Sequence, residues 1–567
     1  MAHIKLTQSY LENTVHFPKD GLNSIKDILE FRARDAGEDE VIVFAAVDGF
    51  ARQAVTYKEL FKKSCQVARS LIALGIKPTE VVAINVRSCP EWLFFVYGAM
   101  LAGIIPVGVS FTYADGSDVL ELMEKLERCA LLFADPGVDS ENWRVIQKLV
   151  DYFHEDGSAK SSKMPYLRYL IGHEVDTNVM TGVMSFAKFM EEDNTNIAIP
   201  DLPDTATAFL FQTSGSTGAP KLVAHSHKMF MSFRQFKMPY SDRSLILFND
   251  RPFTWAGGFP YSPILGRRRV TTHGFAKFPI ESKFNTIVKC IQQENCTAMY
   301  ALPPFVHELI SKRNELPTPW PVKYLLTGGQ PMTKQLAECV SGVCQNFVCT
   351  YGCTELPPLV TGITKNKDDF TEFSCGTIND GEKIAMKIVD DSFNIVQCNA
   401  VGEIYLKSEI LFLGYFNDTE KTSSVMTEDG WFKTDDLGRM TIDGQLFVLG
   451  RKSNMIISGG MNVAPEILER VLNNCPGVAS SVIVPVPDQT YYQQLCACIV
   501  KQKDYSLTEE QLRNFCVTFH NDKPRLFTVL PKFYLFFDKF PQTLTGKVSR
   551  KALTAMVGQM LNTTEKV

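Results

Sequence analysis

A strand-like apolar run, Ala208 to Gln212, ends in Thr213-Ser214-Gly215-Ser216-Thr217-Gly218-Ala219-Pro220-Lys221. Holding a polyphosphate requires close backbone approach, hydroxyl donors and a fixed cation. Glycines permit the approach, Ser and Thr supply donors, and Lys221 supplies the charge. The order is not that of a Walker A loop: Pro220 precedes the lysine, and neither Ser nor Thr follows it. By composition alone a flexible Ser/Gly loop is the competing reading. Three further charged residues stand out in polar turns. Taken singly, Glu355 beside Pro357-Pro358 reads as a loop carboxylate, Asp436 as a strand end, and Lys547 in a Thr-Gly-Lys turn as a solvated surface lysine.

The elements that must position these residues alternate between helix and short apolar strand. Thr56 and Glu59 form a capping-box pair, and Leu60, Ser64, Val67, Ala68 and Leu71 fall on one helical face. Gly75 closes that helix, and Glu80 to Asn85 reads as a buried strand. Trp92 to Phe111 carries no charge over a length that would span a bilayer. Gly103 and Pro106 interrupt it, so a buried helix ending at Gly103 and a buried strand Ile104 to Val109 are expected instead. Repeated helix and parallel strand indicate an α/β architecture. The texture changes near Phe447 to Gly450. A strand from Met455 to Ile457, a Gly459-Gly460 loop and a helix opening at Pro465-Glu466 follow. The expected organisation is a large multi-subdomain α/β domain over 1–449, a hinge linker over 450–454, and a small mobile α+β domain over 455–567.

Bulk properties agree with a multidomain enzyme. The chain has 567 residues, too many for one core. Hydrophobic residues make up 45% and charged residues 21%, the balance of a globular protein rather than a disordered one. A net charge of −5 argues against a nucleic-acid partner. The 15 cysteines are scattered without a preceding secretory signal, and the chain ends Thr-Glu-Lys-Val rather than in the peroxisomal tripeptide. A reduced, cytoplasmic setting without a transmembrane segment is therefore expected. Cys349/Cys353 and Cys496/Cys498 lack the two-pair spacing of a zinc site, and His225 and His227 show no ligand partners, so no structural metal beyond Mg²⁺ is expected.

Thr213 to Lys221 resembles the phosphate loop of the adenylate-forming superfamily, which comprises acyl-CoA synthetases, luciferases and peptide-synthetase adenylation domains. The other motifs of that superfamily follow in its order across most of the chain. Gly328-Gly329-Gln330-Pro331 is similar to its adenine-contacting turn, and Tyr351-Gly352-Cys353-Thr354-Glu355 to its YGxTE element. Trp431 to Asp436 corresponds to its WFxTGD element with one departure. Gly450-Arg451 opens its linker motif, and Pro541 to Lys547 resembles its terminal lysine loop. The resemblance is closest to a stand-alone acyl-CoA synthetase.

It implies ATP, Mg²⁺ and coenzyme A as co-substrates and cofactor, and a carboxylic acid, medium or long chain, as substrate. Attack of a carboxylate on ATP brings two anions together, so positioned cations and a metal are the expected catalysts. The resemblance places Thr213, Ser214, Gly215, Ser216, Thr217, Gly218 and Lys221 on the β- and γ-phosphates, and Gly328, Gly329, Gln330, Tyr351 and Gly352 around the nucleotide. It gives Thr354 the α-phosphate, Glu355 the Mg²⁺, Asp436 the ribose hydroxyls and Arg451 a supporting contact. Lys547 is the expected catalytic bridge between carboxylate and α-phosphate. Ser453 falls at the pivot of the small domain, and Gly459 and Gly460 would line thiol entry after it swings.

Two positions depart from the family pattern: Asp435 stands where the family has glycine, and Ser453 where it has Asp or Lys. The added charge beside the ribose site either weakens ATP binding or points to solvent, and the smaller, neutral pivot residue implies a different balance between the two states; a catalytically weakened nucleotide-binding relative stays open as an alternative. Trp255, Gly257 and Gly258 align with the acyl-pocket segment. The absence of an acidic residue there favours a simple carboxylic acid over an amino acid. A luciferase-like adenylating enzyme uses the same residues. Only 17 residues follow Arg550, so free coenzyme A or a separate carrier is expected as acceptor. Arg267-Arg268-Arg269 reads as a solvated basic turn or, less favoured, a contact for the nucleotide phosphate of coenzyme A. A Gly-Val-Asp-Ser stretch at 137–140 faintly resembles a carrier attachment site and is read as coincidence.

Overall fold

The computed structural model describes the chain except residues 1–5, 14–20, 48, 110–114, 137–139, 176–181, 192–193, 214–220, 236–243, 274–283, 330–331, 379–383, 459–460, 464, 489–491, 523–528, 544–546 and 565–567. The Gly-Val-Asp part of the 137–140 stretch therefore lies outside the described residues.

The buried strand expected near residue 80 is Val81–Asn85, whose five residues are all buried. A strand apolar on both faces needs cover on both, and it lies inside an eight-stranded sheet between parallel neighbours Cys129–Ala134 and Ile105–Gly108. The helix Tyr57–Ala73 turns Leu60, Ser64, Val67, Ala68 and Leu71 to the core, with Thr56 capping the Glu59 amide. It packs on Pro90–Leu101, every residue of which except Glu91 is buried. Gly98 marks the crossing, where a Cβ would sit 2.5 Å from Val67. The uncharged run from Trp92 is thus a core helix and strand separated by Gly103 at φ +72. Among the described residues no helix is long and apolar enough to cross a membrane.

The second large sheet has fourteen strands. Its parallel centre, including Tyr324–Gly328 and Asn346–Cys353, passes through antiparallel Leu356–Thr364 and Ser374–Ile378 into an antiparallel half containing Phe432–Met440 and Leu446–Arg451. Helices cover the parallel parts, so this portion is α/β.

Beyond the turn Lys452–Asn454 a separate five-stranded sheet begins, with Ile456–Ser458, Val478–Asp488 and Tyr492–Lys501 among its strands. One face packs Leu468, Leu472 and Leu512, and the other packs Leu553 and Val557 from the helix Arg550–Thr564. The small portion therefore has its own core on each side of its sheet, as an α+β unit requires.

Candidate active site

Three strands end where the motif residues converge. Thr213 and Lys221 pair across the mouth of the antiparallel hairpin formed by Thr207–Thr213 and Lys221–Ser226. The loop between them, with Ser214, Gly215, Ser216, Thr217 and Gly218, lies outside the described residues, as do Gln330, Gly459 and Gly460. In the fourteen-stranded sheet Gly328 ends a parallel strand opposite Thr350, and a Cβ on it would stand 2.8 Å from the Thr350 carbonyl and hydroxyl oxygens. Gly329 follows at φ +86 with open space where a side chain would project. Only glycine turns there without strain.

Tyr415 had no assigned role in the sequence, yet it joins two of the expected residues. Its strand, Gly414–Tyr415, pairs with Lys221–Ser226. Its hydroxyl donates to Glu355 Oε1 at 2.7 Å, and Lys221 Nζ stands 3.4 Å from the Tyr415 hydroxyl oxygen and over the Tyr415 ring. Burial and the Glu355 carboxylate push the phenol well above its ordinary range. It therefore stays a donor and orients Glu355, which is itself buried.

His225 carries a second unforeseen contact. Its Nε2 lies 2.6 Å from the Thr354 carbonyl. A carbonyl only accepts, so Nε2 carries the proton. Burial lowers the imidazole to a pKa of about 4, so it is neutral at physiological pH. The histidine thus holds the backbone of the TE pair rather than a metal.

Asp436 sits within the strand Phe432–Met440, not at its end. Its Oδ2 accepts from the Tyr351 hydroxyl at 2.8 Å, and its Oδ1 meets Arg451 Nε at 2.8 Å. Arg451, paired opposite Asp436 on the adjacent strand, also donates to the Thr434 carbonyl at 3.1 Å. Burial pushes Asp436 upward in pKa, against the pull of Arg451 and Tyr351. Lys547, in the small portion, feels the charges of Arg451 and Asp436. Its loop is closed by a Thr543 N–H to Lys547 carbonyl bond of 2.7 Å. The surrounding protein and the Arg451 cation lower its pKa, and Asp436 opposes them. The residue keeps access to solvent.

The Asp435 side chain turns to Ser453 rather than to solvent alone. Asp435 adopts φ +62, the left-handed conformation natural to glycine, which Asp tolerates better than most residues. Its carboxylate accepts from Ser453 Oγ at 2.5 Å. The extra side chain thus meets Ser453, the other position that departs from the resembled motifs.

Trp255 is half-buried in a tight turn over 252–258. Gly258 permits that turn, since a Cβ would meet the Pro252 carbonyl oxygen at 2.0 Å. Gly257 is exposed, with the Tyr300 hydroxyl 3.5 Å from its Cβ position. The basic run 267–269 is not a solvated turn. Arg269 is 1% exposed, and its guanidinium donates to the carbonyls of Asn249, Arg251, Gly258 and Phe259. Arg268 pairs with Glu40 and Glu294. Arg269 therefore braces the turn carrying Trp255, and neither of these arginines stands as an unengaged phosphate contact.

The donors suit a nucleotide and a hard cation. Asp436 uses one acceptor direction on each oxygen, leaving roughly two of a carboxylate's four for vicinal hydroxyls. Glu355 is oriented through one oxygen and retains acceptor capacity for an oxygen-seeking metal.

Comparison with known proteins accords with this arrangement. The chain is 24% identical over 529 residues to 4-coumarate–CoA ligase 2 of Petroselinum crispum, covering 90% of each. It is 25% identical over 512 residues to the medium-chain fatty-acid–CoA ligase of Escherichia coli (strain K12), covering 87% of this chain and 84% of that one. Among solved structures, o-succinylbenzoate CoA synthetase from Bacillus subtilis in complex with its acyl-adenylate superposes with a TM-score of 0.73 at 23% identity, covering 93% and 97% of the two chains. The model of the AMP-binding enzyme family matches residues 29–416, and that of the AMP-binding enzyme C-terminal domain matches 468–547. Spanning well over half the sequence, these matches show that the chain belongs to the AMP-binding family of adenylate-forming enzymes, the AMP-forming CoA ligases that use ATP, Mg²⁺ and coenzyme A.

Proposed function

We propose that the protein activates a medium- or long-chain fatty acid to its acyl-adenylate, releasing pyrophosphate, and then passes the acyl group to coenzyme A. The observation that carries this reading is the pairing of Asp436 with Tyr351 and Arg451, on which the Lys547 amine of the small domain exerts its charge. That amine is the cation needed where an anionic carboxylate meets the α-phosphate. Thr213 and Lys221 flank the phosphate loop, with Ser214, Gly215, Ser216, Thr217 and Gly218 completing it. Gly328, Gly329, Gln330, Tyr351 and Gly352 frame the nucleotide base. Asp436 takes the ribose hydroxyls, and Arg451 holds Asp436. Thr354, braced by His225, donates to the α-phosphate.

Glu355 would hold Mg²⁺, which when bound neutralises phosphate charge. Once the adenylate exists, Lys547 has no further role, and rotation about Ser453 would withdraw it and bring Gly459-Gly460 to the thiol path. The hinge lies in a linker over 450–454 between domains spanning 1–449 and 455–567. Trp255, Gly257 and Gly258 form the acyl wall, and the lack of an acidic group there supports an acid without an amino group. The fatty-acid ligase relative supports an alkyl acid. The 4-coumarate ligase relative supports an aryl acid as the second reading.

The test is pyrophosphate release from ATP and Mg²⁺ across alkyl, aryl and amino acids, with and without coenzyme A, beside Lys547→Ala. Acid-dependent release that coenzyme A increases and the variant loses supports the ligase and ranks its acids. ATP binding without release for any acid sinks it in favour of a non-catalytic nucleotide binder.

A further inference from the structure

A second cluster of chemistry-bearing side chains lies at the carboxyl-terminal edge of the eight-stranded sheet, apart from the residues above. Three parallel strands, Val81–Asn85, Cys129–Ala134 and Tyr169–Gly172, end there side by side. The first leads through Arg87 to Cys89, the N-cap of the helix Pro90–Leu101, whose side chain makes no cap bond. The second ends at Asp135 and the third at His173. His173 Nε2 lies 3.4 Å from Cys89 Sγ and 3.3 Å from Glu91 Oε2. Its other ring nitrogen, Nδ1, lies 3.3 Å from Asp135 Oδ2. The donor atoms of Cys89, Glu91 and His173 all lie within 4.8 Å of one another.

We propose that Cys89, Glu91 and His173 bind a divalent transition metal of the zinc class, with Asp135 as the carboxylate that orients the histidine. Four observations support it. Zinc bonds of about 2.3 Å to sulfur and about 2.0 Å to nitrogen or oxygen separate neighbouring tetrahedral ligand atoms by about 3.3–3.6 Å, the spacing found around His173 Nε2. A metal-ligating imidazole commonly donates its remaining N–H to a carboxylate, and Asp135 is in that position. Thiolate and Glu91 carboxylate together cancel a dication, while Asp135 is separately matched by Arg87, whose Nε is 3.3 Å away. Sulfur and imidazole select zinc or its neighbours over Mg²⁺. A Cys-His-Asp nucleophile has the same outline, but Cys89 is 2% exposed, too enclosed to attack a substrate. Glu91, with a side chain 32% exposed, opens the site to solvent and leaves room for a fourth ligand.

The site pins the start of a core helix to the ends of two strands from distant parts of the chain. Its role would be structural, and it is independent of the ligase reading. The full-length protein, stripped with a chelator, should take up one equivalent of Zn²⁺ or Co²⁺. The cobalt form should show a thiolate charge-transfer band, and the melting temperature should rise with metal. Cys89→Ser should abolish the band and the rise, and Asp135→Asn should weaken affinity about 10- to 100-fold. X-ray absorption on the zinc-loaded wild type, which needs no variant to fold, should find one sulfur in the metal shell. A shell with no sulfur or several, or uptake that Cys89→Ser and Asp135→Asn both leave unchanged, overturns the proposal.

Discussion

Ser453 Oγ and Asp435 Oδ2 stand 2.5 Å apart, so the two residues at which this chain departs from its family's motifs are hydrogen-bonded to each other. Asp435 belongs to the strand Phe432–Met440 and Ser453 to the turn Lys452–Asn454. The bond ties this turn to the strand that carries Asp436. Lys452 adds to it, reaching Glu403 at 3.0 Å and Asp391 at 3.1 Å.

Ser453→Ala and Asp435→Gly should each loosen this arrangement by about 1 kcal/mol, a roughly fivefold shift in the balance of the two half-reactions. Adenylation should slow relative to thioester formation, and the double variant should resemble either single one. Asp435→Ala should be less stable than Asp435→Gly, because a positive φ costs alanine about 1–2 kcal/mol. Separate single-turnover rates and thermal melts check this. Additive effects of the two hinge substitutions would refute the coupling.

Lys547→Ala should reduce acid-dependent pyrophosphate release by about 100-fold or more, the scale of a lost electrostatic stabiliser. Thioester formation from supplied acyl-adenylate should change little. The working form is the cation, so adenylation should fall as pH rises through the lysine pKa. Since packing and Arg451 lower that pKa, the alkaline limb should lie below the ordinary lysine value of about 10.4. A limb unchanged in Lys547→Arg would assign it elsewhere.

Removal of the Tyr415 hydroxyl leaves Glu355 without its 2.7 Å donor. Tyr415→Phe should raise the Mg²⁺ concentration needed for half-maximal activity by about fivefold, equivalent to about 1 kcal/mol, while the fold is retained. Glu355→Gln should be more damaging, because it removes the anionic ligand itself. Magnesium titrations of pyrophosphate release distinguish the two.

His225 also carries a pH prediction. Its folded pKa is about 4 against a reference of 6.5, so between those values the unfolded chain holds a proton that the native one lacks. Native stability is full above about pH 6.5 and is lost as pH falls towards 4, by up to on the order of 3 kcal/mol. His227, lowered to about 4 by burial as well, contributes in the same direction. Urea unfolding of His225→Gln should show a shallower acid slope over that window. An unchanged slope would mean His225 is not buried in its neutral form.

The local elements were legible because their information is local. Periodicity, Gly75 and Gly103 marked the helix Tyr57–Ala73 and the break after Pro90–Leu101, and four apolar residues in a row marked a doubly covered strand. The motif residues were legible by order, and pairing brings Thr213 opposite Lys221 and Asp436 opposite Arg451. The basic run 267–269 was misread because a charge count cannot reveal that Arg269 is enclosed by four carbonyls. Tyr415 was missed because a Gly-Tyr pair has no distinguishing spacing; only the neighbouring strand's register sets its hydroxyl on Glu355.

What the sequence by itself determined was the α/β and α+β patterning and the chemical types at each motif. Tertiary structure alone decided which distant side chains share a site. Ser453 and Asp435 are 18 positions apart, and His173 lies 84 positions from Cys89. Such pairs make no periodic pattern, because they meet only where separate strands end at one sheet edge or where a linker folds back on its neighbour.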